Sequence, residues 1–245
     1  MTTSSPIAEE HTLHHHSPQC KRRWVILWHL PVRFSHWLIG IGIVALILTG
    51  FYIGKPYFMS SGEPSSHFFM GWMRFLHFLS AAVLVAAIIV RVYWLFIGNP
   101  YETWRSLVPY RKKDWALMWQ VIKKYVLIYP ERSPHYLGHN PLQQISYTAL
   151  YALIIFQILS GFAMYGVATP GGFMHTSFGW INSLLGGIQI VRFLHHVATW
   201  IFVIFIPVHI YLTVRADALH REGRVSSMIS GGRFVCDHME YVDDE

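Results

Sequence analysis

Five histidines sit inside long apolar stretches of the sequence: His36, His77, His195, His196 and His209. An ionisable side chain in such a setting is costly and marks a functional candidate. Neutral imidazole is a good metal ligand, and haem iron takes two axial ligands from opposite faces. His195 and His209 are fourteen residues apart. On a helix that is just short of four turns, so both side chains leave nearly the same face, about 21 Å apart along the axis. One segment thus offers an imidazole near each surface of a membrane. His196 points roughly 100° away from His195 and is read as its neighbour, although a thirteen-residue spacing to His209 would also keep both on one side. A zinc or copper site needs three or four ligands converging on one point, which this spread does not offer.

The elements that must position these residues are four apolar stretches, approximately 33–54, 72–97, 142–167 and 191–214, none of which holds an Asp or Glu. About 20 helical residues cross a bilayer core, and in lipid the backbone must satisfy its own hydrogen bonds, so each stretch is expected to be a helix. The chain is 53% hydrophobic and 13% charged, well below the roughly 25% charged residues of soluble domains. The fold expected is all-α, an integral membrane four-helix bundle. Gly40, Gly42, Gly50 and Gly161 suit close helix packing in lipid, and Pro207 is expected to kink the fourth helix. No internal repeat stands out.

The formal charge of +6 raises nucleic acid as a partner, but the basic residues fall in blocks between apolar runs, which topology explains without one. Lys21, Arg22, Arg23 and Arg33 precede or open the first span. Arg105, Arg111, Lys112, Lys113, Lys123, Lys124 and Arg132 fill the 98–141 connection, and Arg215, Arg221, Arg224 and Arg233 follow the last span. Cytoplasmic loops are rich in Lys and Arg. Both termini and the 98–141 connection are therefore placed on the cytoplasmic side of the membrane, with 55–71 and 168–190 outside. This topology puts His36 and His209 at the inner depth, and His77 and His195 at the outer depth. Two stacked haems fit the two pairs. A hydrogen bond to a neighbouring helix explains a lone membrane histidine equally well, but not four at matched depths.

Haem propionates favour arginine. Arg74 and Arg192 are the outer candidates, Arg33 and Arg215 the inner ones, and each serves equally as a snorkelling topology anchor. Within 98–141, Trp115, Met118, Trp119, Ile122, Tyr125 and Val126 recur at helical spacing. They predict a cytoplasmic amphipathic helix between the second and third spans, lying on the inner leaflet or packed on the bundle ends. Residues 1–23 read as a disordered cytoplasmic N-terminus, 24–234 as the membrane domain and 235–245 as an acidic cytoplasmic tail, with Tyr241–Glu245 expected to be disordered. Cys20 and Cys236, at opposite ends of the sequence, are expected to be unpaired thiols in a reducing compartment. His14, His15 and His16 form a solvated tract, His67 and His175 lie in outer connections, and His135, His139 and His220 are cytoplasmic.

Several stretches resemble the cytochrome b subunit of membrane-bound nickel–iron uptake hydrogenases. They are Pro31–Val32–Arg33–Phe34–Ser35–His36–Trp37–Leu38, Thr49–Gly50–Phe51–Tyr52–Ile53–Gly54–Lys55–Pro56, Gly71–Trp72–Met73–Arg74–Phe75–Leu76–His77–Phe78, Gly138–His139–Asn140–Pro141, Leu194–His195 with Val208–His209–Ile210–Tyr211, and Ser227–Met228–Ile229–Ser230–Gly231–Gly232. The resemblance covers roughly 24–234. It implies a di-haem cytochrome b with axial ligands His36, His77, His195 and His209. It also implies attachment to a periplasmic hydrogenase of a nickel–iron large subunit and an iron–sulfur small subunit, with electrons passing from the small subunit through two haems b to membrane quinone, as in a hydrogen:quinone oxidoreductase. The doublet His195–His196 departs from the pattern. The gamma subunits of membrane formate dehydrogenases are similar in the histidine spacing of the last span.

Three classes of function are thus open: a haem electron carrier, a transporter relaying protons through histidines, and a membrane anchor without redox function. Carboxylate-free spans and the lack of an evident repeat count against the transporter. A visible spectrum with sharp reduced b-type bands separates the first from the other two.

Overall fold

The computed structural model describes residues 21–58, 63, 68–109, 111–126, 136–220, 222–236 and 241–243. The expectations for residues 1–20, His67 and His135 lie outside these. Four long helices dominate: α1 (Leu30–Gly54), α2 (Phe69–Ile97), α5 (Pro141–Gly166) and α8 (Ile188–His220). All four are long and apolar enough to cross a membrane. Each begins one to three residues before the sequence-based bound, because the entry turns contribute backbone without contributing to the apolar run. Pro31 opens α1 in its first turn, where the missing N–H costs nothing. α5 starts on a capping box in which Asn140 accepts from the Gln143 backbone N–H and the Gln143 side chain accepts from the Asn140 N–H. α8 stays helical through Pro207.

α1 packs along α2, and α5 packs on α8. Between the two histidine depths lies an apolar layer of Ile43, Leu84, Ile88, Ile154 and Phe202. The opposite surfaces expose Ile41, Leu48, Ile89, Tyr93, Ile155, Phe193 and Ile204. So much large apolar surface is compatible with lipid, not with water.

The expected amphipathic helix is present as α4 (Lys112–Val126), preceded by the short α3 (Trp104–Leu107). Met118 and Val121 are buried while Trp115 and Trp119 are exposed, and α4 packs against α5. The connection from α5 to α8 carries two short helices the sequence did not suggest, α6 (Phe173–Phe178) and α7 (Trp180–Leu184). Both are too brief for a periodic signal.

The largest departure is at the end of the bundle that bears the termini. Strand β1 (Arg22–Ile26) pairs antiparallel with β2 (Gly232–Cys236), with Arg22 opposite Cys236 and Ile26 opposite Gly232. A seven-residue helix, α9 (Arg224–Ser230), leads into β2. It ends at Gly231, whose φ of 92° suits glycine and whose carbonyl accepts from the Leu27 and Trp28 N–H groups. Leu27, Trp28, Val32, Leu137, Val235 and Tyr241 form a second buried cluster over this clasp.

Three expectations are corrected here. Arg22 and Arg23 belong to a strand, not a disordered terminus. Tyr241 is buried, and the Asp243 carboxylate accepts from the Leu137 and Gly138 N–H groups at 2.6 and 2.7 Å, so this part of the acidic end is fixed. Cys236 is disulfide-bonded, not a free thiol. The one other cysteine of the sequence, Cys20, lies outside the described residues. The strand pairing brings residues 22–26 and 232–236 together, which distance along the sequence conceals.

Candidate functional site

The four paired histidines occupy two depths. At the termini-bearing end, His36 of α1 and His209 of α8 have ring centres 6.3 Å apart. Metal–imidazole bonds are about 2 Å, so two axial imidazoles on one ion place their ring centres about 6 Å apart. Phe205 stacks on the His209 ring at 5.4 Å, Tyr147 meets it edge-on at 6.2 Å, and Trp37 packs on His36. The His36 Nδ1 atom is buried and has no hydrogen-bond partner among the described residues.

At the far end, His77 of α2 and His195 of α8 are within electrostatic reach of each other. His77 Nδ1 lies 2.9 Å from the Thr49 hydroxyl, which also lies 2.7 Å from the Ala45 carbonyl. A carbonyl can only accept, so Thr49 donates to Ala45 and accepts from His77 Nδ1–H. The same logic holds for His195. Its Nδ1 is 2.8 Å from the Ser160 hydroxyl, and that hydroxyl donates to the Gln157 carbonyl at 3.2 Å. Both rings therefore carry their proton on Nδ1 and keep the Nε2 lone pair for a metal. Gly50 and Gly161 lie beside these rings. A Cβ at Gly50 would stand 3.2 Å from His77 Cε1, and one at Gly161 3.7 Å from His195 Cε1. His196 turns away and packs on Phe51 and Trp200.

The arginines divide. Arg33 donates to the Ile229 carbonyl of α9, so it ties α1 to the clasp. Arg74 and Arg192 are exposed, and Arg215 is half-buried in α8. The residues the sequence reading missed are Arg91 and Glu102. Arg91, near the end of α2, is buried and donates to the Glu102 carbonyl at 3.0 Å. Glu102 is fully buried. Burial works against its charge, yet hydrogen bonds from His29, Trp94 and Asn99 hold its carboxyl below the ordinary carboxylate range. A charged pair flanking Gly98–Asn99–Pro100 was the available signal.

A cavity of about 470 Å³ opens at the termini-bearing end, lined by Tyr101, Arg105, Asp114, Tyr136, His139 and Asp243 among others. Burial, with Arg91 and Arg233 nearby, pushes the His139 imidazole down to about 4, so it is neutral near pH 7. Its ring contacts Tyr147 at 5.0 Å, and Tyr147 contacts His209. No cluster of three or more His, Cys, Asp or Glu able to hold a free metal ion occurs among the described residues.

Fold and site together define a multi-pass helical membrane protein with imidazoles paired between its spans. Comparison with known sequences places it further. The family model for prokaryotic cytochrome b561 matches residues 27–231. The chain is 34% identical over 225 residues to a probable Ni/Fe-hydrogenase B-type cytochrome subunit of Rhizobium leguminosarum bv. viciae, covering 91% of this chain and 94% of the relative. It is 37% identical over 210 residues to the protein of that name from Cupriavidus necator, covering 84% and 86%. It is 31% identical over 210 residues to the probable Ni/Fe-hydrogenase 1 B-type cytochrome subunit of Escherichia coli K12, covering 83% and 88%. The chain belongs to the prokaryotic cytochrome b561 family, and haem b is its cofactor. The residues present fit that group: two Nδ1-protonated imidazoles at one depth, two imidazoles at bis-axial spacing at the other, and glycines where a Cβ would crowd a ring.

Proposed function

We propose that this protein anchors a nickel–iron hydrogenase, of iron–sulfur small and nickel–iron large subunits, at the bacterial inner membrane and carries its electrons to membrane quinone through two haems b. His77 with His195 would hold one haem, and His36 with His209 the other. When bound, haem b supplies a one-electron iron couple. The pairing of four imidazoles at two depths, with the His36–His209 rings 6.3 Å apart, carries the reading. The hydrogenase comes from the names of the relatives.

The chain's own work is positional. Each histidine pair would supply both protein ligands to its haem iron and leave no position there for oxygen. The apolar layer around Ile43, Leu84, Ile154 and Phe202 keeps water from between the two depths. The Lys/Arg-rich end, with both termini and α4, faces the cytoplasm, and α6 and α7 face the periplasmic hydrogenase. The cavity beside His139 is within the range of small-molecule sites, about 300–1,000 Å³. Its ring contacts run through Tyr147 to His209, which supports quinone binding there. Arg74, Arg192 and Arg215 remain available to haem propionates, whereas Arg33 is engaged by α9.

The test is haem stoichiometry and reduction. Pyridine haemochrome against protein in intact membranes should give about two haems per chain, reducible by hydrogen when the hydrogenase is present. A stable value of one would overturn the two-site reading.

A further inference from the structure

The hydrogen bonds at the far end expose a duplication. Ile47–Leu48–Thr49–Gly50–Phe51 on α1 matches Ile158–Leu159–Ser160–Gly161–Phe162 on α5, and Arg74–Phe75–Leu76–His77 on α2 matches Arg192–Phe193–Leu194–His195 on α8. In each copy the hydroxyl of the first motif accepts from the histidine of the second, Thr49 from His77 and Ser160 from His195. In each copy the adjacent glycine lies against that imidazole's Cε1. The same sequence offsets carry His36 onto Tyr147 and His209 onto Arg91. The two-fold correspondence is therefore complete at the far end and broken at the termini-bearing end. There, each copy keeps only one of the two histidines.

We propose that Thr49–Gly50 and Ser160–Gly161 are the positioning residues of two equivalent half-sites. Each fixes its axial imidazole as the Nδ1–H tautomer, and together they give the far-end haem the lower midpoint potential of the two. This rests on the axial reading of His77 and His195. The physical reason is that an acceptor on Nδ1–H makes the imidazole a stronger donor at Nε2 and so favours oxidised iron. At the far end both rings have such an acceptor. At the other end the buried His36 Nδ1 has none among the described residues. Thr49 and Ser160 are well suited because each hydroxyl spends its own proton on a carbonyl one turn back, Ala45 or Gln157, leaving only lone pairs for the ring. The glycines let the hydroxyl-bearing helix approach the imidazole edge. At Gly50 a methyl group would press on His77 at 3.2 Å.

The experiment is potentiometric titration of the haem absorbance, with haem content measured alongside, in membranes carrying the full chain and its partner. The variants are Thr49→Val, Ser160→Ala, Thr49→Ser and Ser160→Thr. Loss of either hydroxyl should raise the midpoint of the lower-potential component. Loss of one hydrogen bond should change the oxidation equilibrium about fivefold, about 40 mV for a one-electron couple. Thr49→Ser and Ser160→Thr should return the native midpoint. The inference is overturned if Thr49→Val and Ser160→Ala keep haem and leave the midpoint unmoved, or if the higher-potential component is the one that moves. It is also overturned if the hydroxyl-retaining variants shift as far as the others. Should Thr49→Val lose haem outright, Thr49→Ser decides: native haem and midpoint support the hydroxyl, and loss there too overturns it. Full haem content in His77→Ala or His195→Ala would instead overturn the axial reading itself.

Discussion

Replacing Glu102 by glutamine should loosen the termini-bearing end measurably. The carboxylate is fully buried. One oxygen accepts from the His29 backbone N–H. The other accepts from His29 Nδ1 at 2.7 Å, Trp94 Nε1 at 3.0 Å and the Asn99 N–H at 3.2 Å. Glutamine keeps the shape but puts an NH₂ where one oxygen stood, and in either orientation a donor then faces a donor. Hydrogen bonds to a charged group contribute about 1.5–3 kcal/mol each. The His29 side chain is 49% exposed, so its share is discounted toward the 0–1 kcal/mol of roughly solvent-screened pairs. The favoured orientation keeps the amide oxygen on Trp94 and Asn99, whose bonds fall from charged to neutral strength, and sets the NH₂ against the His29 backbone N–H, for a loss of about 3 kcal/mol. At about 2–4 °C per kcal/mol in a chain of this size, the unfolding midpoint should drop by about 6–12 °C. The assay is thermal unfolding of purified protein in detergent near neutral pH, followed by tryptophan fluorescence. The sign with pH follows from the depressed carboxyl. Its contribution is intact above the ordinary carboxylate range and is lost as pH falls through the folded value, so native and variant should converge on acidification. If Glu102→Gln and Glu102→Ala both melt with the native protein at neutral pH, the carboxylate does not hold this end together.

Three further outcomes are expected. His195→Ala should lower the pyridine haemochrome ratio by one haem while His196→Ala leaves it intact, since His195 meets Ser160 and His196 meets Phe51 and Trp200; equal losses would mean packing governs both. A reporter fused after residue 245 should show cytoplasmic activity, as the Lys/Arg distribution requires; periplasmic phosphatase activity at that point would reverse the orientation. His36→Ala should block hydrogen-driven quinone reduction while dye-linked hydrogen oxidation survives, and stopped-flow spectra showing native quinone reduction would remove the His36–His209 pair from the path.

The four spans were legible because apolar runs without Asp or Glu have one solution in lipid. The histidine pairing was legible because a fourteen-residue interval is nearly a whole number of turns. The clasp was not, since residues 22–26 and 232–236 acquire meaning only opposite each other, and neither alternates cleanly. Glu102 was hidden for a related reason. In a stretch counted for its basic residues, the one signal was a charged pair on either side of the turn, and nothing in it showed that the Asn99–Pro100 turn folds Glu102 under Trp94. The duplicated motifs stood in plain sequence, but they are short and their two halves are unequally separated. They became a pattern once Thr49 and Ser160 were found bonded to equivalent atoms of His77 and His195.

The strand pair also bears on how the chain is made. β1 leaves the ribosome before the first span and β2 after the fourth, and synthesis at about 5–20 residues per second separates them by roughly 10–40 s. Throughout that interval Trp24 and Ile26, largely exposed even in the finished fold, belong to a strand with no partner. An unpaired strand edge is a template for wrong pairing. Closure of β1 on β2 can follow only after all four spans have been made, so it marks in time that the last of them has left the ribosome. A truncation that removes β2 leaves every span in place but denies the nascent protein that last step, and an open β1 is then a feature by which quality control could tell an unfinished molecule from a finished one.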